Sequence, residues 1–214
     1  MKIRAVYFDV GETLIDETRQ WRGWASCLGV PTEVFFSAFR ELVEAGEDHR
    51  CIFQRFRPGF DLEAARKERA ANGDADIFDQ RDLYPDAVPC LRALRKNGLA
   101  VGIVGNQPAE SIVALRVAGV DADVIASSET WGVEKPSPAF FAKVATTAAL
   151  PAAAIAYVGD RLDNDVLPAR AAGRVAVFLG RGPWGRVHAR RPEAKLADIR
   201  LKNLAELPGA LAAL

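Results

Sequence analysis

The chain has 214 residues, of which 50% are hydrophobic, and it carries 28 basic and 28 acidic residues. This composition can build a substantial core and excludes an intrinsically disordered chain. Because the charges balance, no overall field attracts nucleic acid or an anionic membrane surface, and we expect a small-molecule partner, no nucleic acid and no membrane.

The first predicted element is an apolar strand over residues 3–9 that ends in the carboxylate of Asp9. The loop Val10-Gly11-Glu12-Thr13 follows it directly. A short solid apolar run of this kind is typical of a parallel strand that is buried on both faces. Such a strand delivers its last side chain to the edge of the sheet where open α/β folds bind ligands, so Asp9 is the first candidate for chemistry.

Residues 16–83 show a different sequence pattern, with apolar and aromatic side chains at helical spacing between residues 21 and 42. A charged helix is predicted from Leu62 to Ala71, where Asn-Gly follows. The segment contains no βαβ pattern, so we predict an all-helical insertion. For the aromatic residues between 53 and 60, helical spacing favours a core position over a substrate pocket.

Beyond residue 83, short apolar runs alternate with helical segments, which is typical of repeated βαβ units. The predicted strands cover residues 99–104, 124–127, 155–158 and 175–179, and the predicted helices cover residues 87–97, 109–118 and 138–149. Ile199 and Leu201 indicate a final strand tip. The fold class is therefore α/β, with a Rossmann-like parallel sheet core formed by residues 1–15 and 84–214 and a helical domain inserted at 16–83.

A second acidic edge follows the predicted strand 155–158, where Gly159 leads into Asp160, Asp163 and Asp165. Two parallel strands can thus direct carboxylates at one point of the same sheet edge. Clustered carboxylates suit a hard cation such as Mg²⁺.

Four segments together resemble the haloacid dehalogenase-like hydrolase superfamily, in the order that the family shows. They are Asp9-Val10-Gly11-Glu12-Thr13, Val101 to Asn106, Gly132 to Phe141, and Gly159 to Asp165 followed by Ala169 to Gly173. Four ordered segments are far more specific than one motif. The helical insertion after the first motif resembles the cap domain of one type within the family.

The resemblance implies a Mg²⁺-dependent phosphatase that acts on a small phosphorylated molecule. It implies that Asp9 attacks phosphorus and forms an aspartyl-phosphate, and that Lys135 neutralises Asp9 and the phosphoryl group. It also implies that Mg²⁺ is held by Asp9, the backbone carbonyl of Gly11, Asp160 and Asp165.

Two motifs depart from the family pattern at functional positions. Gly11 stands where phosphatases of the family carry a second aspartate, which serves as acid and base. Glu12, one position later, is a candidate replacement if the loop turns its side chain inward. Gly105 stands where a hydroxyl is expected, although the backbone N–H groups of Gly105 and Asn106 can still bind an anion as a substrate-binding pair.

Several alternatives stay open at this point. The chain could be a catalytically impaired binding or regulatory protein with the same fold, or a haloacid dehalogenase-type hydrolase that acts at carbon. Asp163 is either a solvated loop residue or a metal contact. Residues 181–191 are expected to form a solvated basic connector, with substrate recognition as the alternative, and His188 is expected at the surface.

Cys27, Cys51 and Cys90 are odd in number and lack a C-x-x-C pair. This pattern favours reduced thiols and a cytoplasmic protein over a disulfide framework or a zinc site. The N-terminal strand becomes acidic too early for a signal sequence, so no targeting segment is expected. The sequence leaves the oligomeric state open.

Overall fold

The structure, a computed structural model, describes residues 2–74 and 77–214. In these residues the β-strands are β1 Ala5–Phe8, β2 Ala100–Gly105, β3 Val124–Ser127, β4 Ile155–Gly159, β5 Val175–Leu179 and β6 Ile199–Leu201. The α-helices are α1 Thr18–Leu28, α2 Thr32–Ala45, α3 Cys51–Phe56, α4 Leu62–Ala71, α5 Ala87–Lys96, α6 Glu110–Val117, α7 Ser128–Trp131, α8 Pro138–Ala148, α9 Leu167–Ala171, α10 Gly182–His188 and α11 Leu207–Ala212.

All six strands form one parallel sheet in the order β3-β2-β1-β4-β5-β6. Every residue of β1 and β4 is buried, as expected for strands covered on both faces. The predicted α/β class with a parallel sheet is confirmed, and Ile199 to Leu201 form its sixth strand.

The register of β1 determines where the first acidic residue lies. Phe8 is paired with Ile103 of β2 and with Val158 of β4, and the backbone N–H of Asp9 donates to the Val158 carbonyl at 2.9 Å. Asp9 therefore leaves the sheet between the carboxyl ends of β2 and β4, which are the strands that precede Asn106 and Asp160.

Aromatic side chains fill the core on one face of the sheet. Phe140 and Phe141 of α8 pack at right angles to each other and to Tyr157 of β4, with ring centroids 5.3 to 6.2 Å apart. The buried Tyr157 hydroxyl donates to the Val104 carbonyl at 2.8 Å, which satisfies the one polar atom of this cluster.

The chain divides into two compact units, residues 1–16 with 79–214, and residues 17–78. The predicted boundary at residue 83 lies five residues too late. The returning chain already pairs with the departing chain before Tyr84, because the N–H of Asp16 donates to the Asp82 carbonyl at 2.7 Å and Ile15 bridges Leu83. These contacts place residues 79–83 in the unit that contains the sheet.

The unit of residues 17–78 consists of helices and loops, and its described residues include no strand. Its centre is aromatic: Trp24 packs edge-on against Phe53 with centroids 5.0 Å apart, and Phe53 stacks on Phe60 at 5.3 Å. Phe53 is buried, as the helical spacing predicts, whereas Phe56 and Phe60 are half-buried. No helix in the part of the chain that the structure describes combines the length and apolarity needed to cross a membrane.

Candidate active site

Asp9 and Lys135 form the first part of the site. The Asp9 carboxylate Oδ1 lies 2.7 Å from the Lys135 ammonium, and the same ammonium lies 2.5 Å from Oδ1 of Asp165. The Lys135 side chain is fully buried. Burial disfavours its charged form, but the carboxylates of Asp165 and Asp9 outweigh that effect and raise the pKa of Lys135 well above its usual value. Lys135 is therefore a permanent cation shared by two acids.

The acidic turn after β4 supplies the second part. Leu162–Val166 form a π-helical turn that folds Asp165 back towards the end of β4. Its carboxylate occupies the space where a side chain on Gly159 would lie, since a Cβ there would approach the carboxylate carbon to 2.4 Å. The backbone N–H of Arg161 donates to Asp165 Oδ2 at 3.0 Å. Burial raises the pKa of Asp165 to about 6, although the Lys135 ammonium opposes this shift. Single-turn π-bulges of this kind are frequent at functional sites.

Asp9, Asp160 and Asp165 each place a carboxylate oxygen within 4.8 Å of the others. Burial, and then the charges of Asp165 and Asp9, raise the pKa of Asp160 well above its usual value. Among the described residues, the buried Oδ2 of Asp160 has no hydrogen-bond partner. Ionisation of all three carboxylates would leave two negative charges that the one ammonium does not balance. These residues fit a divalent cation, which would bind the orphaned oxygen and lower the pKa values that burial raises.

The end of β2 contributes Gly105 and Asn106. A Cβ on Gly105 would lie 2.3 Å from Asp9 Oδ1, so the absence of a side chain gives the Asp9 carboxylate its place. The Asn106 side chain makes two hydrogen bonds of 2.8 Å with the backbone N–H and carbonyl of Lys135. The Asn106 amide thus positions the lysine. Anion binding by the backbone of Gly105 and Asn106 stays a prediction.

Glu12 lies in the loop after Asp9 and is buried. Its backbone has a φ of 51°, the left-handed region that side chains other than glycine seldom adopt. The Tyr84 hydroxyl donates to Glu12 Oε2 at 2.6 Å. Tyr84 has no motif or periodicity that marks it in the sequence. A catalytic role for Glu12 stays a prediction.

Asp163 takes no part in the carboxylate cluster. Its side chain is half-exposed and pairs with Arg161, with Nη2 and Oδ2 2.6 Å apart. Of the two interpretations left open, the solvent-facing one describes this residue. His188 contradicts its prediction, because it is buried at the end of α10 and its Nδ1 accepts the Leu162 N–H at 2.9 Å.

The expectation of a solvated connector at 181–191 is also wrong for its first half. Residues 182–188 form α10, and Trp184 is buried within it. The Arg181 guanidinium bonds both carboxylate oxygens of Asp86, at 2.7 and 3.0 Å. The sequence did not indicate this helix, because the intrinsic propensities of Gly182 and Gly185 oppose it, although Pro183 lies in its first turn, where proline is tolerated.

The sequence profile of the haloacid dehalogenase-like hydrolases matches residues 3–173. The chain belongs to the haloacid dehalogenase-like hydrolase family. It is 31% identical to a glyceraldehyde 3-phosphate phosphatase of Methanopyrus kandleri, in an alignment that covers 96% of this chain and 95% of that protein. The predicted family and the prediction of a hydrolytic enzyme are confirmed.

Solved structures of this family show the same fold. A phosphatase of the family from Thermococcus onnurineus aligns with a TM-score of 0.63 and 23% identity, covering 98% of both chains. The L-2-haloacid dehalogenase of Xanthobacter autotrophicus aligns with a TM-score of 0.68 and 20% identity, covering 99% of both. Because both a phosphatase and a dehalogenase match, the family fold does not choose between phosphorus and carbon as the reaction centre, and the site must.

Proposed function

We propose that this chain is a Mg²⁺-dependent phosphatase that hydrolyses a small phosphorylated molecule through an aspartyl-phosphate on Asp9. The observation that carries the proposal is the buried cluster of Asp9, Asp160 and Asp165, with an orphaned Asp160 oxygen and one shared lysine. Hydrolysis at carbon does not need a cation, so a buried cluster of three acids around one ammonium favours phosphoryl transfer. The phosphatase name of the Methanopyrus kandleri relative supports the same class of substrate.

In the proposed reaction, a carboxylate oxygen of Asp9 attacks phosphorus while the bond from phosphorus to the leaving oxygen breaks. Water then attacks the same phosphorus and loses a proton to the solvent, the bond to Asp9 breaks, and inorganic phosphate leaves with the carboxylate restored. Lys135 neutralises Asp9 and the phosphoryl oxygens in both steps. Asp9, the Gly11 carbonyl, Asp160 and Asp165 would hold the Mg²⁺. When bound, the ion supplies further neutralisation of the phosphoryl charge.

Protonation of the leaving group is the weak point of this site. Gly11 has no side chain, and a positioned acid contributes about 10² to 10⁴-fold to the rate. Aryl and acyl phosphates need no proton on the departing oxygen, whereas alkyl phosphates do. We therefore propose faster turnover of aryl and acyl phosphates than of alkyl phosphates such as glyceraldehyde 3-phosphate.

The chain's thiols bear on where the enzyme works. The structure forms no disulfide among its described residues, and Cys27, Cys51 and Cys90 are free. Free thiols persist in a reducing compartment, which supports the proposal of a cytoplasmic enzyme.

The test is turnover of p-nitrophenyl phosphate, acetyl phosphate and glyceraldehyde 3-phosphate with and without Mg²⁺, in the parent chain and in two variants. Asp9→Asn should abolish turnover of all three, because an amide is no nucleophile. Gly11→Asp should raise turnover of glyceraldehyde 3-phosphate most, since it restores an acid that the other two substrates do not need. Asp163→Asn is the matched control for Asp9→Asn, because it makes the same change at an acid that lies outside the carboxylate cluster.

Each alternative gives a different result. Release of halide from a 2-haloacid in the absence of Mg²⁺ would establish hydrolysis at carbon. Absence of turnover together with tight Mg²⁺ binding would establish a binding protein. Equal turnover of aryl and alkyl phosphates in the parent would mean that another group protonates the leaving oxygen, and Glu12→Gln would test the nearest candidate.

A further inference from the structure

The segment Arg181–His188 lies beyond the residues that the family profile matches, yet it contacts both loops that carry the candidate metal ligands. We propose that this segment, the α10 segment, positions the nucleophile loop and the acidic turn relative to each other and thereby sets the affinity for the cation. The proposal rests on the proposed function for the identity of the ligand. Its contacts with the two loops stand on the geometry alone.

Arg181 holds the nucleophile loop from one side. Its guanidinium donates to the backbone carbonyl of Thr13, four residues after Asp9. It also lies over the ring of Tyr84, 3.8 Å from the centroid, while the Tyr84 hydroxyl donates to Glu12. The carboxylate of Asp86 fixes the guanidinium through two hydrogen bonds. Arg181 thus acts on the loop both directly and through Tyr84.

Gly182 contacts the same loop through its backbone. A Cβ at this position would lie 2.5 Å from Glu12 Oε2 and 2.7 Å from Glu12 Cβ. Its φ of 68° is also one that glycine adopts without strain. Any side chain here must push Glu12, and with it the loop after Asp9, away from the start of α10.

The other end of α10 holds the acidic turn. His188 Nδ1 accepts the N–H of Leu162, which is the first residue of the π-helical turn. The Trp184 ring packs against the Arg161 guanidinium, with the guanidinium carbon 4.0 Å from the centroid. Arg161 is the residue between Asp160 and the turn, and its N–H bonds Asp165. The helix therefore contacts the backbone segment that carries Asp160 and Asp165.

A cation site requires all of its carboxylate ligands to lie within reach of one ion. Asp9 belongs to one loop, whereas Asp160 and Asp165 belong to the other, so the distance between the loops decides whether three carboxylates reach one ion. Groups that orient metal ligands without touching the metal change metal affinity by about 10 to 100-fold when they are removed. The α10 segment meets this description through Arg181, Gly182 and His188.

The experiment measures the Mg²⁺ dissociation constant by calorimetry, and amide hydrogen exchange of peptides that cover residues 10–14 and 161–166. His188→Leu removes the acceptor of the Leu162 N–H, whereas His188→Asn keeps an acceptor at the same position. Gly182→Ala forces a side chain against Glu12. We expect His188→Leu and Gly182→Ala to weaken Mg²⁺ binding by about 10-fold or more. We also expect faster exchange in 161–166 for the first and in 10–14 for the second, with His188→Asn close to the parent.

The matched control for Gly182 is Gly98→Ala. Gly98 has a φ of 79°, and no atom lies within 4 Å of the position that an added methyl group would take, so it bears the backbone strain without the contact. Parental Mg²⁺ affinity in His188→Leu and Gly182→Ala would overturn the proposal, as would an equal loss of affinity in Gly98→Ala. Failure of the parent to bind Mg²⁺, with Asp160→Asn no different, would overturn the proposed function instead. In that case unchanged exchange rates in the two peptides would overturn the positioning role, and faster rates would uphold it.

Discussion

At the residue scale, the position of the Asp9 carboxylate depends on Gly105 at the end of β2. Asp9 Oδ1 fills the space beside this glycine and bonds Lys135 from there. The family resemblance implies a hydroxyl side chain at this position, so Gly105→Ser would be expected to restore a missing contact. In this chain the geometry opposes that outcome, because the serine Cβ and the nucleophile cannot occupy the same volume.

We therefore predict that Gly105→Ser lowers kcat/KM for an aryl phosphate by about 10²-fold, the usual effect of a displacement of about 1 Å at a reacting group. Gly102→Ala in the same strand is the control, since its methyl group would press on the Tyr7 ring and not on Asp9. Steady-state kinetics of both variants decide the matter. A gain of activity in Gly105→Ser would show that Asp9 does not react from its present position.

His188 makes the stability of the protein depend on pH. Burial lowers the pKa of His188 to about 4, and its Nδ1 accepts a backbone N–H only in the neutral form. In the unfolded chain its pKa is about 6.5, so the unfolded state binds the proton more tightly. The contribution of His188 is fully present above pH 6.5 and is lost as the pH falls towards 4.

We predict that His188→Asn, which keeps the acceptor and cannot titrate, removes this dependence. The free energy of unfolding of the parent should fall by up to about 3 kcal/mol more than that of the variant between pH 7 and pH 4. Urea unfolding at several pH values measures the difference between the two chains, which cancels the titration of the other acids. Parallel curves for parent and variant would refute the prediction.

At the element scale, the parts of the fold that could be predicted are those that local sequence determines. The strands stand out because solid apolar runs such as Ile155–Val158 are buried on both faces. The helix α10 could not be predicted, since the propensities of Gly182 and Gly185 oppose it and the burial of Trp184 and His188, which stabilises it, depends on tertiary packing. The π-helical turn at Leu162–Val166 also escaped, because tertiary contacts of Asp165 and Leu162 define it.

Helix α1 contains a glycine at which tertiary contacts should outweigh intrinsic helix propensity. Gly23 lies within it, where alanine normally stabilises a helix by about 0.5 to 1 kcal/mol. A Cβ on Gly23 would lie 2.6 Å from Nη2 of Arg69, whose guanidinium stacks 4.2 Å from the Trp24 centroid and pairs with Asp74 at 2.9 Å. The methyl group must displace this buried guanidinium, and a cation–π contact contributes about 0.5 to 2 kcal/mol.

We predict that Gly23→Ala lowers the free energy of unfolding by about 1 kcal/mol, against the helix propensity scale. Gly209→Ala in α11 is the matched control, because nothing lies within 4 Å of its added methyl group and the usual gain should appear. Chemical denaturation measures the change in the free energy of unfolding for both variants, which should be negative for Gly23→Ala and positive for Gly209→Ala. A gain in Gly23→Ala equal to that in Gly209→Ala would mean that Arg69 moves aside without loss.

At the scale of the whole molecule, the two units differ in the spacing of their apolar residues, and this difference allowed the division into two units to be predicted. Helical spacing dominates residues 17–78, whereas βαβ alternation dominates the rest. The boundary near residue 79 could not be read, because it depends on backbone pairing between Ile15 and Leu83 that no local pattern encodes. The role of the helical unit as a cap that selects substrate stays a prediction.

The same backbone pairing allows that role to be tested by deletion. The Asp16 N–H bonds the Asp82 carbonyl, and the Tyr84 N–H bonds the Leu14 carbonyl at 2.9 Å, so the two ends of the sheet unit lie side by side. A Gly-Ser linker of about four residues, a length typical of hairpin loops, can therefore replace residues 17–78. The carboxylate cluster and Lys135 all lie within the unit that remains.

We predict that this shortened chain folds, binds Mg²⁺ with an affinity within a few-fold of the parent, and still hydrolyses a small aryl phosphate. Its preference among phosphorylated substrates should flatten, because the unit proposed to select them is gone while the groups that attack phosphorus are kept. Near-ultraviolet circular dichroism, calorimetry with Mg²⁺ and the ratio of kcat/KM values across a substrate panel measure the three outcomes. The Asp9→Asn form of the shortened chain is the control for contaminating phosphatase. A folded chain that keeps the full substrate preference of the parent would show that selectivity resides in the sheet unit, where the loops after β2 and β5 would be the next candidates.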